Sequence, residues 1–200
     1  MQNIDIKSVE AKAELRRKVL RLRDEIPEEK RIEMGLAAAE HGNRHIDVEP
    51  GVIVSGFFPI RSEIDIRPLM DAMRVKGARL CVPAVLDRQT IEFRELVRGG
   101  ELIDTGFGTI GPGASAQVLV PDLLLMPLAA FDRRGHRIGY GAGHYDRAID
   151  RIRRTGKTPR LVGIAFSVQE VAHVPEGPHD RRMDAVVTET GYREFDREDA

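Results

Sequence analysis

The first forty residues place apolar side chains mostly at helical spacing. Residues 8–26, SVEAKAELRRKVLRLRDEI, therefore predict an amphipathic and strongly basic helix. Pro27 suits the first turn of a second helix, and Gly42 is its expected end. The pattern thus predicts two helices, over about residues 8–42, before any strand.

After residue 50 the chain is dominated by short apolar runs. These runs predict strands at residues 51–60, 78–85, 121–132, 160–167 and 184–189, the first of them covered on both faces. Segments with helical character separate several of the runs, among them DIRPLMDAMRVKG and GHYDRAIDRIRRTG. Because strands and helices alternate, we predict an α/β fold with a mostly parallel central sheet and helices on both faces.

The remaining segments are less regular. Residues 90–96, TIEFREL, alternate apolar and polar positions, as a half-exposed edge strand does. Residues 99–115 are rich in glycine and are expected to form a loop, and the charged tail at residues 192–200 is expected to fray. We take the 200 residues as one domain, with its α/β body at about residues 51–190.

Composition narrows the classes of function. The 31 lysines and arginines nearly balance the 32 aspartates and glutamates, so neither nucleic acid nor an anionic membrane is an expected partner. Cys81 is the single cysteine and is expected to be a reduced thiol in the core. No apolar leader and no run of about 18 apolar residues is present. We therefore expect a cytoplasmic protein.

The stretch RIGYGAGHYD, residues 137–146, precedes a predicted helix and contains three alternating glycines. Gly139, Gly141 and Gly143 would let the backbone direct several N–H groups at an oxyanion, next to the positive end of the helix. A plain connection between a strand and a helix explains the same glycines. The stretch matches neither the dinucleotide-binding fingerprint nor the Walker loop, so spacing alone leaves both interpretations open.

Charged residues around this stretch favour an anion site. Arg133, Arg134 and Arg137 precede the glycines and Arg147 follows them, although at least two of the four are expected to be surface residues only. Asp146 could hold Mg²⁺ beside a phosphate, or it could stabilise the helix terminus without any ligand.

A second polar cluster lies further along the chain. It contains His173, His179, Asp180 and Asp184, but the spacing fits no zinc pattern, and the histidines are expected to be structural. Asp180 would share a magnesium ion with Asp146 only if its loop folded back beside that residue.

Four segments resemble the signature blocks of one enzyme family. In chain order they are KAELRRKVLRLRDEIP, FFPIRSEIDIRPLM, LLLMPLAAFDRRGHRIGYGAGHYDRAI and LVGIAFSVQEVAHVPEGPHDRRMDAVVTE. Over about residues 12–189 the chain resembles the 5-formyltetrahydrofolate cyclo-ligase family. The resemblance implies a three-layer α/β sandwich, similar to that of sugar-phosphate isomerases and CoA transferases. It also implies conversion of 5-formyltetrahydrofolate to 5,10-methenyltetrahydrofolate, which uses ATP and Mg²⁺ and releases ADP and phosphate.

The same resemblance implies roles for individual residues. ATP is expected to contact Lys12, Arg16, Arg137, Gly139, Tyr140, Gly141, Ala142, Gly143, His144 and Tyr145. The folate is expected to contact Phe58, Glu63, Tyr140, Gly141, Ala142, Gly143 and His144. Asp146 and Asp180 match the two carboxylates associated with Mg²⁺. By pattern alone, Lys12 and Arg16 would be part of a basic surface, Phe58 a core residue and Glu63 a carboxylate at a loop end.

Two residues depart from the family's commonest pattern in the glycine-rich stretch. His144 stands where Tyr or Phe is usual, and Ala142 stands at a position that is often Gly or Lys. A Cβ at positive φ is unfavourable by about 1 kcal/mol or more, so Ala142 would be strained if its backbone were left-handed. His144 could still stack on a ring or form a hydrogen bond with it.

The implied chemistry needs no protein nucleophile. The formyl group on N5 is an amide, whose oxygen becomes a leaving group once it has attacked the γ-phosphate; N10 then closes the ring. Positioning and charge neutralisation suffice for such a transfer, and no covalent catalytic residue is predicted. Two alternatives remain: a phosphotransferase or phosphatase acting on another small molecule, and a nucleotide-binding protein that has lost turnover. We expect a monomer whose folate substrate could be polyglutamylated.

Overall fold

The computed structural model describes residues 6–106, 109–177 and 180–196. Within these ranges it contains four α-helices: α1 (Ile6–Asp24), α2 (Glu28–His45), α3 (Arg67–Val75) and α4 (His144–Arg154). The strands are β1 (Ile53–Ser55), β2 (Arg79–Val85), β3 (Ile91–Glu95), β4 (Leu102–Gly106), β5 (Thr109–Pro112), β6 (Val118–Leu119), β7 (Leu123–Pro127), β8 (Ala130–Phe131), β9 (Arg137–Ile138), β10 (Arg160–Ile164), β11 (Ala185–Thr188) and β12 (Gly191–Glu194). None of the helices in the described ranges has the length and the apolar surface that crossing a lipid bilayer requires.

Eight strands form one sheet in the order β12-β11-β10-β7-β1-β2-β3-β6. The strands β11, β10, β7, β1 and β2 are parallel to one another, whereas β12 and β3 pair antiparallel on either side of them. The predicted mostly parallel sheet is therefore confirmed. The carboxyl ends of its five parallel strands share one edge, which is where such sheets bind their ligands.

Helices cover both faces of the sheet. On one face, α3 buries Leu69 and Met73 against the inner strands, together with α2. On the other face, α4 buries Ile149 and Ile152. The helix α1 packs instead through Val19 against the short β8–β9 pair. Because β8 follows directly after the carboxyl end of β7, α1 lies at the edge of the sheet where ligands are expected.

Two predicted boundaries in the first third of the chain were wrong. Only Ile53–Ser55 of the apolar run 51–60 joins the sheet as β1, because the chain then turns into a loop at the carboxyl edge. Gly42 does not end α2, which continues to His45. Gly42 is buried, and a Cβ there would lie 2.7 Å from a methyl carbon of Leu69, so glycine permits the close approach of α2 to α3.

The irregular segments contain more strand than expected. Residues 99–115 include β4 and β5, which pair with each other, and the tail includes β12. The strand β3 is not the edge of the sheet, because β6 pairs with it over two residues. The apolar run 121–132 is divided into β7 and β8. The strands β4, β5, β6 and β12 are short or largely exposed, and such strands leave little periodic signal in a sequence.

Candidate functional site

A cavity of about 290 Å³ opens at the carboxyl edge of the sheet. Every residue that the family resemblance associates with ATP or Mg²⁺ lines it. The lining residues are Lys12 and Arg16 of α1, Pro83, Val85, Ile91 and Pro127 of the sheet, residues 137–146, and Asp180. The fold thus brings together groups that are more than a hundred positions apart in the sequence.

The glycine-rich stretch turns sharply along one wall of this cavity. Gly141 has φ 101° and Gly143 has φ 63°, which are left-handed conformations that other residues adopt at a cost of about 1 kcal/mol or more. Gly143 is also the N-cap of α4, so the positive end of that helix lies at the cavity. Ala142 does not have a positive φ, and the departure at this position therefore strains nothing.

Two basic residues of α1 reach the cavity. Lys12 forms an ion pair with Asp180, and Nε of Arg16 donates a hydrogen bond to the carbonyl oxygen of Gly139 at 2.7 Å. Burial lowers the pKa of Arg16. These contacts hold two cationic side chains beside the glycine-rich stretch, where they can neutralise phosphate charge.

Asp146 and Asp180 line the same cavity, and the loop that carries Asp180 folds back beside Asp146. Oδ1 of Asp146 accepts a hydrogen bond from Nη2 of Arg137 at 2.8 Å and one from the amide of Arg181 at 3.1 Å. Asp180 is paired with Lys12. In the described part of the chain, no three His, Cys, Asp or Glu residues are grouped so that they could hold a metal ion. An ion here would need further oxygen ligands, such as phosphate oxygens and water.

Two further residues of the second polar cluster, His173 and Asp184, do not line this cavity. Oδ2 of Asp184 accepts a hydrogen bond from the amide of Leu161 at 2.7 Å, which joins the chain before β11 to β10. His173 is exposed and does not line the cavity. His179 lies outside the described residues.

Of the four arginines around the glycines, Arg137 alone lines the cavity. Its side chain is only 5% exposed. Arg133 pairs with Glu170, and Arg134 pairs with Asp132 and Glu176, none of which lines the cavity. Arg147 donates hydrogen bonds to the carbonyl oxygens of Gln89 and Ala142, and of these two partners Ala142 lines the cavity.

A second cavity, of about 120 Å³, adjoins the first. Pro83, Pro127, Tyr140 and Tyr145 line both of them. The smaller cavity is otherwise lined by Phe57, Phe58, Ile60, Glu63, Val82 and Ile110. It is mostly apolar, with one carboxylate and two phenol groups at its wall.

The residues expected at the folate divide between the two cavities. Phe58, Glu63 and Tyr140 line the smaller one. The rest line the larger one and not the smaller: Gly141, Ala142, Gly143 and His144. Nε2 of His144 lies 3.2 Å from the carbonyl oxygen of Asp87, in the loop after β2, so this departure from the family pattern contacts the protein itself.

Glu63 lines the smaller cavity and has a buried, unpaired acceptor. Its Oε2 accepts a hydrogen bond from the amide of Ile60 at 2.9 Å, whereas its Oε1 is buried and has no partner among the described residues. Burial raises the pKa of Glu63, and Tyr140 and Arg23 offset part of this rise. An unpaired buried acceptor is costly, so a ligand with N–H donors would relieve the cost by binding Oε1.

Tyr145 adds a second unpaired polar atom. Its hydroxyl is buried without a hydrogen-bond partner in the described part of the chain, and burial raises its pKa. The phenol is therefore neutral at physiological pH and can donate or accept one hydrogen bond. Two residues that line this small apolar cavity, Glu63 and Tyr145, thus carry unpaired polar atoms.

Cys81 is not a nucleophile of this site. It is buried in the core, as expected, and lines neither cavity. Burial raises the pKa of its thiol to about 12, so the reactive thiolate is scarce at neutral pH.

Sequence patterns did not reveal Arg23. It is 2% exposed, and its guanidinium donates hydrogen bonds to the hydroxyls of Tyr140 and Ser62 at 2.6 and 3.0 Å. One basic residue among many in α1 gives no sign of burial. The signal that could have found it was its spacing, since Arg16, Val19 and Arg23 follow one another at helical intervals on the face that packs inward.

A sequence model of the 5-formyltetrahydrofolate cyclo-ligase family matches residues 8–189 of the chain. The chain is 29% identical to the 5-formyltetrahydrofolate cyclo-ligase of Escherichia coli (strain K12), over 80% of this chain and 90% of the relative. It is 28% identical to the enzyme of the same name from Mycolicibacterium smegmatis, over 90% of this chain and 95% of the relative.

Solved structures of similar proteins agree with the fold. The 5,10-methenyltetrahydrofolate synthetase of Aquifex aeolicus superposes with a TM-score of 0.75 at 27% identity, over 94% of this chain and 95% of that one. The synthetase of Mycoplasma pneumoniae superposes with a TM-score of 0.71 at 19% identity, over 89% of this chain and 98% of that one. The second comparison supports the fold alone.

Proposed function

The chain belongs to the 5-formyltetrahydrofolate cyclo-ligase family, and on this basis we propose that it converts 5-formyltetrahydrofolate to 5,10-methenyltetrahydrofolate while ATP is split to ADP and phosphate. The observation that carries the proposal is the shared wall of two cavities. One cavity holds cations and the glycine-rich stretch, and the other holds a buried, unpaired carboxylate oxygen. A phosphate donor and a folate would therefore meet beside Tyr140 and Tyr145.

The larger cavity suits the nucleotide. Lys12, Arg16 and Arg137 place three positive charges along it, and the positive end of α4 adds to them. Gly141 lies beside the Arg16 guanidinium, since a Cβ at this position would stand 3.5 Å from it. A triphosphate that displaced Asp180 from Lys12 would gain a cation that is already at the cavity wall.

The smaller cavity suits the pteridine ring. The edge of a pteridine presents N–H groups, which match the unpaired Oε1 of Glu63, while Phe58 and Pro83 offer apolar contact to the ring faces. A ring held in this way would direct its N5 side toward the shared wall. The formyl group would then lie next to the nucleotide.

The reaction needs positioning more than acid or base catalysis. The formyl oxygen attacks the γ-phosphorus and displaces ADP, which gives an iminium phosphate at N5. N10 then attacks the iminium carbon and loses its proton, and phosphate leaves with the former formyl oxygen. Lys12, Arg16 and Arg137 would stabilise the charge on the phosphoryl group during transfer, and no protein atom forms a covalent bond.

Asp146 and Asp180 suit a magnesium ion that arrives with the nucleotide. Both carboxylates lie at the larger cavity and are partly exposed, at 26% and 30% of the side chain. Two carboxylates are too few for a protein-only site, but they are sufficient when phosphate oxygens and water complete the shell. Bound Mg²⁺ would neutralise phosphate charge.

We further propose that the protein is a monomer, that it is cytoplasmic, and that it accepts polyglutamylated substrate. The buried and unreactive Cys81 is consistent with a reducing compartment. Sedimentation of the purified protein at several concentrations tests the monomeric state. The sedimentation coefficient of a dissociating dimer would fall on dilution, whereas that of a monomer would stay constant.

Oxygen-18 in the formyl group of the substrate tests the proposed reaction. If the formyl oxygen attacks the nucleotide, the released phosphate carries the label and the methenyl product does not. Unlabelled phosphate formed together with the methenyl product would exclude transfer through that oxygen. Phosphate released with no methenyl product would favour a phosphotransferase or phosphatase on another molecule.

A further inference from the structure

Arg23 of α1 is a buried cation that lines neither cavity. It is 2% exposed, and its Nε and Nη1 donate hydrogen bonds to Ser62 and Tyr140. A guanidinium taken out of water is destabilising unless its donors are satisfied. Its two partners both adjoin the smaller cavity, because Tyr140 lines that cavity and Ser62 precedes Glu63 in the chain.

The contact with Ser62 holds a strained turn. The Ser62 hydroxyl accepts from Arg23 and donates to Asp24, so two consecutive residues of α1 fix it. Arg61, directly before it, has φ 54° and is the one non-glycine residue with positive φ in the described ranges. Such a conformation persists when the surroundings enforce it. The contact therefore fixes the backbone that presents Glu63.

The contact with Tyr140 holds the other side of the cavity. Nη1 of Arg23 lies 2.6 Å from the Tyr140 hydroxyl, and the guanidinium carbon lies 5.9 Å from the centre of the ring. Tyr140 keeps 39% of its surface exposed, so the contact with Arg23 leaves part of this residue accessible. One buried cation thus joins two parts of the cavity wall that are far apart in the sequence.

We propose that Arg23 is the positioning residue of the smaller cavity, and that it sets the affinity for the pteridine ring by fixing Glu63 and Tyr140 without touching the substrate. The inference rests on the proposed function, because it assigns that cavity to the folate. It differs from the contribution of α1 to nucleotide binding, for which this helix supplies Lys12 and Arg16, although Tyr140 lines both cavities.

The charge of Arg23 also bears on the ionisation of Glu63. Burial raises the pKa of Glu63, and the hydroxyl of Tyr140, the amide of Ile60 and the charge of Arg23 lower it. The neutral phenol of Tyr145 also interacts with this carboxyl, and the carboxylate of Asp24 lies nearby, since it shares the Ser62 hydroxyl with Arg23. Loss of the guanidinium would therefore raise the pKa of Glu63, and the acid limb of folate binding would move to higher pH.

The test measures equilibrium binding of 5-formyltetrahydrofolate without nucleotide, and steady-state kinetics, for Arg23→Met and Arg23→Lys. We expect Arg23→Met to weaken folate binding about tenfold or more, since two hydrogen bonds from a charged donor are lost. KM for ATP should change less than about threefold. Arg23→Lys should recover part of the affinity, and the acid limb should shift upward in Arg23→Met alone.

Arg31→Met is the matched control, because Arg31 also donates from its guanidinium to a carbonyl oxygen, that of Ile26, but lies at neither cavity. Equal losses of affinity for folate and for ATP in Arg23→Met would show that Arg23 merely stabilises α1, and unchanged folate affinity would also overturn the proposal.

If Arg23→Met fails to fold, a second experiment decides. Tyr140→Phe is made in the wild type and in Arg23→Lys, and its effect on folate affinity is compared between the two backgrounds. Equal effects would show that the two residues are not coupled and would overturn the proposal. Failure of wild-type turnover with intact folate binding would count against the proposed function and not against this inference.

Discussion

Lys12 of α1 and Asp180 are 168 positions apart in the sequence and form an ion pair at the wall of the larger cavity. Asp180 also accepts a hydrogen bond from the amide of Gly177 at 2.8 Å, so the carboxylate is held while the lysine reaches it. The pair fastens the first helix to the loop before β11. It also keeps a cation and a carboxylate side by side at the cavity. A bound nucleotide would attract Lys12 and a magnesium ion would attract Asp180, so binding of both would separate the pair.

Replacement of Lys12 tests the nucleotide side of the site. Lys12→Ala should lower kcat/KM for ATP by about a hundredfold, because a cation that stabilises the transferring phosphoryl group is lost. Lys18→Ala is the control, since Lys18 lies on the same helix but is exposed and does not line the cavity. Equal kinetic constants for the two variants would contradict the assignment of Lys12 to the nucleotide site.

Asp146→Asn tests the magnesium assignment. The substitution keeps the shape of the side chain and removes its charge, so the Mg²⁺ concentration needed for half-maximal rate should rise several-fold at saturating ATP. Asp150→Asn is the control, because Asp150 pairs with Arg181 one turn further along α4 and does not line the cavity. An unchanged Mg²⁺ requirement in Asp146→Asn would contradict the assignment.

Gly141 and Ala142 form a matched pair in the glycine-rich stretch. Gly141→Ala should destabilise the stretch by about 1–2 kcal/mol, because φ 101° is unfavourable for a residue with a Cβ. Ala142→Gly should leave activity and stability nearly unchanged, since Ala142 has no positive φ. Thermal unfolding and KM for ATP measure both effects. A larger effect from Ala142→Gly than from Gly141→Ala would contradict the explanation by backbone conformation.

Asp132 stabilises the turn between β8 and β9. It is fully buried, and its carboxylate accepts hydrogen bonds from the amides of Val174, Arg134 and His136 and from the Arg134 guanidinium. Burial alone would raise the pKa of Asp132, but these hydrogen bonds outweigh it and hold the pKa below its ordinary value. The stabilisation is therefore present above the ordinary pKa of an aspartate and is lost as the pH falls through the lower folded value.

Asp132→Asn should thus lower the free energy of unfolding by about 2–3 kcal/mol at pH 7. The difference from the wild type should shrink below about pH 4. Urea unfolding at a series of pH values measures this. Asp71→Asn, at an exposed pair with Arg74, is the control and should cost less than about 1 kcal/mol. If the difference for Asp132→Asn grew as the pH fell, the pKa of Asp132 would have to be raised in the folded protein rather than lowered.

The layered fold was predictable because its strongest signals are local. Apolar runs and helical spacing identified α3, β2, α4 and β10, whose buried faces are continuous in sequence. The end of β1 was not predictable, because residues 56–60 are as apolar as a strand yet pack as a loop at the carboxyl edge. The ladders β4–β5 and β11–β12 join neighbouring segments of the chain, but β4, β5 and β12 have only four or five residues each and leave no clear periodic pattern.

Some residues of the site could likewise be predicted from the sequence, and others could not. Glycine spacing alone could not separate a phosphate-binding loop from a plain turn, whereas the structure places Lys12 and Asp180 beside the glycines. The residues that the family resemblance indicated came together at two adjoining cavities. Arg23 escaped notice because burial of one guanidinium depends on where Ser62 and Tyr140 lie in space.

Formation of the methenyl chromophore is the most direct test of the proposed function. Purified protein incubated with ATP, Mg²⁺ and 5-formyltetrahydrofolate should produce the absorbance of 5,10-methenyltetrahydrofolate, with one ADP formed for each product molecule. Glu63→Gln should lose most of this rate through a higher KM for the folate, with KM for ATP little changed. A folded wild-type protein that binds ATP but forms no chromophore would contradict the proposed function.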